Sequence, residues 1–313
     1  MDKIAFLFPG QGAHSVGMGK LIYDTSSSGR ALFENIEALR PGTKAQCFDG
    51  PAEILNQTVN TQPCIFTVEC AALVTLKEMG LTPKGVAGFS LGEITGLVAA
   101  EISTVEDGLA LVTARGQAME MATQTADATM VAVLKLENEV VEELCQEFTQ
   151  CYPVNYNCPG QLVVALLNKD LKDFVARVKA SGGRGLPLGL SGGFHSPYME
   201  EASKQLEPAL NCLSFSKGLI PLYGNATALP YSESTDEIKS AILHQINHPV
   251  LWEKTIHQMM DDGFTTFIEV GPGKTLGGFL KKMNSKTKSF HSDNLILDYY
   301  EKQKAGKEWS LEC

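Results

Sequence analysis

The feature that most constrains this fold is a glycine-flanked serine at residues 88–92. The segment reads Gly-Phe-Ser-Leu-Gly and stands between a short apolar run, 85–87, and a helix-like run, 94–100. In a strand–turn–helix context this G-x-S-x-G pattern places a serine on a sharp, exposed turn. The free N–H groups of the helix N-terminus would then lie beside the serine oxygen. The pattern predicts a nucleophilic serine or, since such strings also arise by chance, a purely structural turn.

Short apolar runs alternate with helical patterns on both sides of this turn. The strands are predicted at 3–8, 85–89, 219–223 and 266–270, and the helices at 29–39, 63–79, 104–122, 235–246 and 251–261. A capping box at 103–106 predicts the start of the third of these helices. Alternating strands and helices are typical of an α/β fold whose parallel sheet has helices on both faces.

The middle of the chain follows a different order, β-α-β-β-α-β, which is the split arrangement of a ferredoxin-like unit. Its strands are predicted at 129–136, 152–156, 161–167 and 186–190, and its helices at 137–148 and 170–180. We therefore expect a large α/β domain at 1–124 and 193–284 and an inserted small domain at 125–192. The substrate would lie in the cleft between them. Residues 285–313 are polar without clear periodicity and are predicted to be a peripheral tail, partly ordered at best.

Composition excludes several classes of function. The 313 residues carry a net charge of −10, which is unfavourable for general nucleic-acid binding. The eight cysteines form no C-x-x-C motif or zinc-ligand spacing, so we expect no metal site and a reducing compartment. The apolar run 4–8 is too short for a signal peptide, and no apolar run reaches the ~18 residues that span a bilayer. We expect a soluble cytoplasmic protein.

A serine nucleophile needs a base, and His195 is the best placed of the six histidines. It lies in the glycine-rich segment 191–197, where the inserted domain should return to the large one, so it can face the cleft. The alternative is a hydrogen-bonded loop histidine. No acidic residue stands in an obvious motif to orient this base. Gln245 is a possible acceptor, and a polar residue at a helix C-terminus is its alternative reading.

Arg115 falls on the predicted helix 104–122 beside an apolar face that includes Leu109, Val112 and Met119. Burying a guanidinium without a partner is costly, so an anionic partner is expected. A substrate carboxylate held by two hydrogen bonds would serve. The alternatives are an internal salt bridge or a side chain that extends to solvent.

Taken together, the motifs resemble, in order and spacing, those of malonyl-CoA:acyl carrier protein transacylases. The resemblance covers about residues 3–284. It is carried by Pro9-Gly10-Gln11-Gly12, Thr61-Gln62-Pro63, Gly88-Phe89-Ser90-Leu91-Gly92-Glu93, Arg115-Gly116, Asn155-Tyr156-Asn157-Cys158-Pro159-Gly160-Gln161, Gly193-Phe194-His195-Ser196-Pro197, Gln245 and Val270-Gly271-Pro272-Gly273-Lys274.

The resemblance implies an α/β-hydrolase-like large domain with an inserted ferredoxin-like domain, and a malonyl transfer through an acyl-serine. It implies Ser90 as nucleophile, His195 as base, a main-chain carbonyl at Gln245 that orients the base, an oxyanion hole from the N–H groups of Gln11 and Leu91, and Arg115 as the carboxylate ligand. Phe194, Met119 and Asn157 are further candidate substrate-binding residues. The implied substrates are a coenzyme A thioester and an acidic acyl carrier protein. We expect no cofactor, metal or membrane, and a monomer.

Two positions depart from the family pattern. The family commonly has histidine where this chain has Phe89, which removes a polar contact to substrate, and alanine where it has Gly193, which could loosen the hinge. Exposed lysines could form a docking patch for the carrier or simply a solvated face, and the candidates are Lys274, Lys281, Lys282, Lys286 and Lys288. A polyketide-type acyltransferase and a serine hydrolase remain alternative functions, as does a docking module with a degenerate site.

Overall fold

The computed structural model describes residues 3–284 and 286–311. Its strands are β1 (Ile4–Phe8), β2 (Gly85–Gly88), β3 (Ala128–Leu134), β4 (Tyr152–Cys158), β5 (Gln161–Leu167), β6 (Arg184–Ser191), β7 (Leu222–Tyr223), β8 (Thr266–Glu269) and β9 (Lys288–His291). Its helices are α1 (Lys20–Thr25), α2 (Ser27–Leu39), α3 (Thr43–Phe48), α4 (Ala52–Leu55), α5 (Thr58–Glu78), α6 (Gly92–Ala99), α7 (Val105–Thr125), α8 (Asn138–Gln146), α9 (Leu171–Ala180), α10 (Glu200–Asn211), α11 (Thr235–Asn247), α12 (Trp252–Asp261), α13 (Thr275–Met283) and α14 (Ser292–Lys304).

Five strands form a parallel sheet in the order β7-β2-β1-β8-β9. The central strand β1 is covered on both faces. Phe6 and Phe8 belong to one buried cluster, whereas Ala5 and Leu7 belong to another. Because side chains alternate along a strand, these two clusters lie on opposite faces of the sheet. The predicted parallel sheet with helices packed on both faces is therefore confirmed. The C-terminal ends of β1 and β2 meet at one edge, where Phe8 pairs with Gly88.

A second, antiparallel sheet has the order β4-β5-β3-β6. Helices α8 and α9 pack on it over a separate buried cluster that includes Val141 and Phe174. The sheet is attached to the segment between α11 and α12. There the Tyr156 N–H donates to the Val250 carbonyl at 2.9 Å, and the Val250 N–H donates to the Val154 carbonyl at 2.8 Å. The mixed α/β class predicted from the sequence is thus confirmed.

Helix α5 is long and apolar enough to cross a membrane by length and composition. However, 83% of that apolar window is buried inside the protein. Helices α2, α6 and α7 pack around it, as expected of a core helix. The segment therefore serves as the centre of the helical layer on one face of the parallel sheet.

The prediction of a polar, partly ordered tail at 285–313 is wrong for β9 and α14, which lie in this range. Strand β9 pairs in parallel with β8 and extends the sheet, and α14 then packs against α1 and α5. Only a narrow stripe of α14 is buried, namely Ser292, Leu295 and Ile296. A four-residue edge strand and so narrow a stripe give little periodicity, which explains why the sequence pattern suggested a tail.

Two smaller boundaries also differ from prediction. Helix α7 is capped one residue later than the capping box suggested, because Thr104 is the N-cap and its Oγ1 accepts from the Asp107 N–H at 3.0 Å. The strand predicted at 219–223 shrinks to β7, Leu222–Tyr223, and Leu219 is 73% exposed. Neither change moves the residues of the site.

Candidate active site

Ser90 lies on the turn between β2 and α6 with a backbone φ of 54°. This left-handed conformation is strained for a non-glycine residue and persists only where the surroundings enforce it. Both flanking glycines are required by close backbone approach. A Cβ on Gly88 would lie 1.9 Å from the Gly92 carbonyl carbon, and a Cβ on Gly92 would lie 2.1 Å from the Phe8 carbonyl oxygen. The G-x-S-x-G pattern is therefore dictated by sterics.

His195 is the partner of this serine. The Ser90 Oγ lies 2.6 Å from His195 Nε2, and His195 Nδ1 lies 2.9 Å from the main-chain oxygen of Gln245. Because a carbonyl oxygen only accepts hydrogen bonds, Nδ1 carries the proton and donates it to Gln245. Nε2 is then the acceptor for the Ser90 hydroxyl. This geometry would allow Ser90 to act as a nucleophile, His195 as its base and the Gln245 carbonyl as the group that orients the base.

The His195 imidazole is built to be neutral. Its side chain is 3% exposed, and burial together with the nearby charge of Arg115 lowers the His195 pKa to about 4. Its own backbone has a φ of 62°, and its N–H donates to the Ile246 carbonyl at 3.2 Å. Both Ser90 and His195 thus occupy left-handed backbone positions held by the fold, as is common at functional sites.

Arg115 enters the same site from α7 and is only 1% exposed. Its Nη2 donates to Ser90 Oγ at 3.2 Å and to Gln245 Oε1 at 3.1 Å, while Nη1 donates to Gln62 Oε1 at 2.9 Å. Burial lowers the pKa of Arg115 to about 10, so the guanidinium stays charged at neutral pH. Its Nε has no acceptor within the described residues. A buried cation beside the Ser90 hydroxyl is suited to an anionic ligand.

Two glutamines hold this constellation together. The sequence predicted Gln245 as a possible acceptor and predicted no side-chain role for Gln62. Gln245 donates its Nε2 to the Ser90 carbonyl at 2.6 Å, in addition to its contacts with His195 and Arg115. Gln62 accepts from Arg115 and donates to Met119 Sδ at 3.4 Å. Met119, a predicted substrate-binding residue, therefore supports Gln62. The Thr61-Gln62-Pro63 match was the one available signal for Gln62.

A second polar group lies behind the serine and was not predicted. Asn225 accepts from the Ser90 N–H at 2.6 Å and donates to the Gly88 carbonyl at 2.6 Å. Its own N–H donates to Glu93 Oε2 at 2.7 Å, and Tyr231 donates its hydroxyl to Glu93 Oε1. Burial raises the Glu93 pKa to about 7, although its hydrogen bonds and Arg115 oppose that rise.

Gln11 lies in the loop after β1, Leu91 lies in the turn between β2 and α6, and Asn157 lies on β4. Among the described hydrogen bonds, the main-chain N–H groups of Gln11 and Leu91 donate to no protein acceptor. Gln11 and Asn157 line a cavity of about 220 Å³ that reaches from the loop after β1 to the antiparallel sheet. Asn157 is 4% exposed, and its Oδ1 has no partner within the described residues.

The two departures from the family pattern have visible packing consequences. Phe89 lines the same cavity, with its ring centroid 5.4 Å from that of Trp252. A Cβ on Gly193 would lie 2.3 Å from the ring of Tyr198, whose hydroxyl donates to the Gln150 carbonyl at 2.7 Å. The Tyr198 ring thus occupies the space an alanine side chain would need. Phe194, beside His195, is 7% exposed and lines a neighbouring cavity of about 270 Å³ with Gln11.

Across residues 3–284 and 286–311, no group of three or more His, Cys, Asp or Glu side chains is placed to hold a metal ion.

The family model for the acyl transferase domain matches residues 5–305. The chain belongs to the acyl transferase family. It also belongs with the malonyl CoA-acyl carrier protein transacylases, since that of Bacillus subtilis is 37% identical over 92% of this chain and 93% of its own.

Solved structures of acyl transferases agree with this assignment. The malonyl CoA-acyl carrier protein transacylase from Clostridium perfringens superposes with a TM-score of 0.90 at 34% identity, covering 97% of this chain and 98% of its own. A malonyl-transacylase in complex with a type II PKS acyl-carrier protein superposes with a TM-score of 0.90 at 29% identity, covering 95% and 99%. The relatives are thus matched over nearly their full length.

Proposed function

We propose that this protein transfers a malonyl group from malonyl-CoA to the phosphopantetheine thiol of an acyl carrier protein, through a malonyl-serine intermediate on Ser90. The observation that carries the proposal is the distance of 3.2 Å between Arg115 Nη2 and Ser90 Oγ. A buried cation this close to the nucleophile selects an acyl group with its own carboxylate. The names of the relatives supply the same substrate pair.

In the first step, neutral His195 accepts the proton of Ser90 as Oγ attacks the thioester carbonyl. The lowered pKa of His195, about 4, keeps the base neutral at physiological pH. The N–H groups of Gln11 and Leu91 stabilise the oxyanion. Both are available for it, because neither donates a hydrogen bond to another group within the described residues. The protonated His195 then gives its proton to the departing coenzyme A sulfur, and the malonyl ester remains on Ser90.

The second step repeats this chemistry with a different nucleophile. The thiol of the carrier's arm gives its proton to His195 and attacks the malonyl ester. Ser90 Oγ then leaves and takes the proton back. Arg115 pairs with the malonyl carboxylate in both steps, whereas an acetyl group would leave the buried cation without its anionic partner. Phe194 and Asn157 border the cavities beside this site and complete the proposed substrate contacts.

The carrier protein would dock near α13. Five exposed lysines lie on or beside this helix, and Lys282 Nζ donates to Gln161 Oε1 at 3.4 Å at the margin of the cavity between the sheets. The other four are Lys274, Lys281, Lys286 and Lys288. An acidic carrier placed here could pass its arm into that cavity. The proposed reaction uses no cofactor, and we propose that the enzyme acts as a monomer in the cytoplasm.

The finer description of the fold belongs to the same proposal. We assign 1–124 and 193–284 to an α/β-hydrolase-like domain, which the serine turn at the end of a parallel sheet supports. We assign 125–192 to a ferredoxin-like insertion. Two observations support this assignment. The elements follow the order β-α-β-β-α-β along the chain, and in the sheet β4-β5-β3-β6 the unit's first strand, β3, pairs with its last, β6.

The mechanism is tested by the intact mass of the protein after incubation with malonyl-CoA. We expect one malonyl adduct on the wild type and none on Ser90→Ala. An adduct that persists on Ser90→Ala, or none on the wild type, would refute the acyl-serine.

One observation favours a second function. The carrier-bound relative has a type II PKS carrier, so this protein could serve a polyketide line. The two functions are separated by offering the malonyl-enzyme both carriers, one from fatty acid synthesis and one from a polyketide line, and measuring which of them becomes malonylated faster.

A serine hydrolase is opposed by Arg115, because an enzyme that hydrolyses neutral esters has no use for a buried cation. Slow loss of the malonyl adduct in water, with fast loss on addition of a carrier, is the expected result.

A further inference from the structure

The geometry points to Asn225 as the positioning residue of the nucleophile. We propose that its carboxamide holds Ser90 in its left-handed turn, and that Glu93 holds Asn225 in place from behind. Asn225 lies just after β7 and is 1% exposed. Its role concerns how Ser90 is aimed, and so it deepens the acyl transfer proposed above.

The carboxamide of Asn225 bridges the two ends of the turn. Its Oδ1 accepts from the Ser90 N–H at 2.6 Å, and its Nδ2 donates to the Gly88 carbonyl at 2.6 Å. One planar group thus fixes the peptide units on either side of Phe89. The Ser90 carbonyl is held in turn by Gln245 Nε2 at 2.6 Å. Side chains therefore restrain both main-chain polar groups of a residue whose φ is 54°.

The contact with Asn225 also sets which N–H groups remain for the substrate. The Ser90 N–H is committed to Asn225, so the developing oxyanion cannot use it. The Leu91 N–H has no acceptor among the described residues. Asn225 thereby separates the two adjacent N–H groups of the turn into one that holds the serine and one left for the oxyanion. Without Asn225 the Ser90 N–H would be buried and unsatisfied, or the turn would rotate.

Glu93 keeps Asn225 in register. Its Oε2 accepts from the Asn225 N–H at 2.7 Å, and its Oε1 accepts from the Tyr231 hydroxyl. Glu93 stands in the first turn of α6, three residues after Ser90, so the helix that follows the serine turn carries the group that holds Asn225. The titratable groups that face this cluster are Arg115 on α7, Tyr231 in the loop after β7, and Glu237 and His244 on α11.

The proposal is tested with Asn225→Ala and Asn225→Asp in the full-length enzyme. The reaction of Ser90 is followed as acylation by malonyl-CoA and, separately, as phosphonylation by a fluorophosphonate. The fluorophosphonate reacts with activated serines and needs no carboxylate site. For Asn225→Ala we expect the acylation rate to fall about 10²-fold, since a misplacement near 1 Å has that effect. The KM for malonyl-CoA should stay unchanged, because Arg115 is intact.

Asn225→Asp supplies a readout that a merely structural residue would not give. A protonated aspartic acid can still accept from the Ser90 N–H and donate to the Gly88 carbonyl, whereas the carboxylate cannot donate. Burial beside Glu93 raises the pKa of such an acid. The functional form is the protonated one, so the ratio of this variant's rate to the wild-type rate should rise as pH falls from about 8 to about 5. Glu93 and His195 are present in both proteins, so their titration does not produce this rise.

Tyr223→Phe is the matched control. Tyr223 lies on the strand before Asn225, and this change removes its hydrogen bond to Asp262 and leaves the contacts of Asn225 and Glu93 intact. We expect its rate to stay within about threefold of the wild type, the scale of a mild substitution. A wild-type rate for Asn225→Ala, or a ratio of the Asn225→Asp rate to the wild-type rate that does not change with pH, would overturn the proposal. If Asn225→Ala does not fold, the Asn225→Asp profile decides. A wild type that reacts with the fluorophosphonate and not with malonyl-CoA refutes the proposed function alone.

Discussion

Replacing Arg115 tests the basis of substrate choice. The guanidinium has five N–H groups, and three donate to Gln62, Gln245 and Ser90. The Nε–H is among those without an acceptor in the described part of the chain. A malonyl carboxylate can therefore receive two charge-assisted hydrogen bonds without breaking the contacts to the glutamines. At about 1.5–3 kcal/mol each, two such bonds stabilise the transition state by about 3–6 kcal/mol.

This free energy corresponds to a factor of about 10²–10⁴ in rate. For Arg115→Ala we therefore expect kcat/KM for malonyl-CoA to fall by about that factor. For acetyl-CoA, which lacks the carboxylate, kcat/KM should change by less than about tenfold, the effect of altered packing alone. The assay is steady-state acyl transfer with each thioester, and the measured quantity is the ratio of the two kcat/KM values.

The control is Arg40→Ala, which removes an arginine that joins Thr43, Gln46 and Asn60 outside the site. This variant should lose stability and keep the wild-type ratio. An unchanged malonyl-to-acetyl ratio in Arg115→Ala would refute the role of Arg115, whatever its effect on either rate.

Three further outcomes are expected. Serine acylation needs His195 in its neutral form, so the acylation rate should fall as pH drops towards the His195 pKa of about 4. A stopped-flow pH profile with its midpoint near 6.5 would contradict a neutral buried His195. The raised Glu93 pKa, about 7 against 4.5, means that folded protein binds the extra proton, so about 3 kcal/mol of stability present below pH 4.5 is lost as pH rises through 7. In Glu93→Gln, the free energy of unfolding measured in urea should not fall in this way as pH rises. A fall that persists in this variant would disprove the role of Glu93. Ile296→Ala, at a buried site of α14, should cost about 2–5 kcal/mol, whereas Leu297→Ala, at a 43% exposed site, should cost little, and equal effects would count against a packed C-terminus.

The sequence predicted the parts of the site that carry a local signal. The serine turn needs Gly88 and Gly92 for steric reasons, so its pattern is legible without a partner. Arg115 was noticeable because a cation on an apolar helix face requires an anion. His195 followed from its glycine-rich hinge, although the resemblance supplied its role. These residues are brought within hydrogen-bonding distance by the fold.

The sequence could not predict the groups that hold the site through distant contacts. Asn225 reaches Ser90 across 135 positions, and Gln62 reaches Arg115 across 53. A single asparagine after a two-residue strand has no periodicity or motif of its own. The same reasoning explains the C-terminal error, because β9 gains its stability from pairing with β8, a partner that local pattern does not reveal.

An uncharged orienting group for His195 follows from the need to keep Arg115 available. A carboxylate at the position of Gln245 would pair with Arg115, which lies 3.1 Å from Gln245 Oε1, and would compete with the substrate anion. The main-chain carbonyl of Gln245 orients the imidazole without adding charge. Glu93 is the nearby acid, yet both its oxygens are engaged by Asn225 and Tyr231, and its pKa near 7 leaves it partly neutral. The positive charge of Arg115 thus remains available for the acyl group that we propose on Ser90.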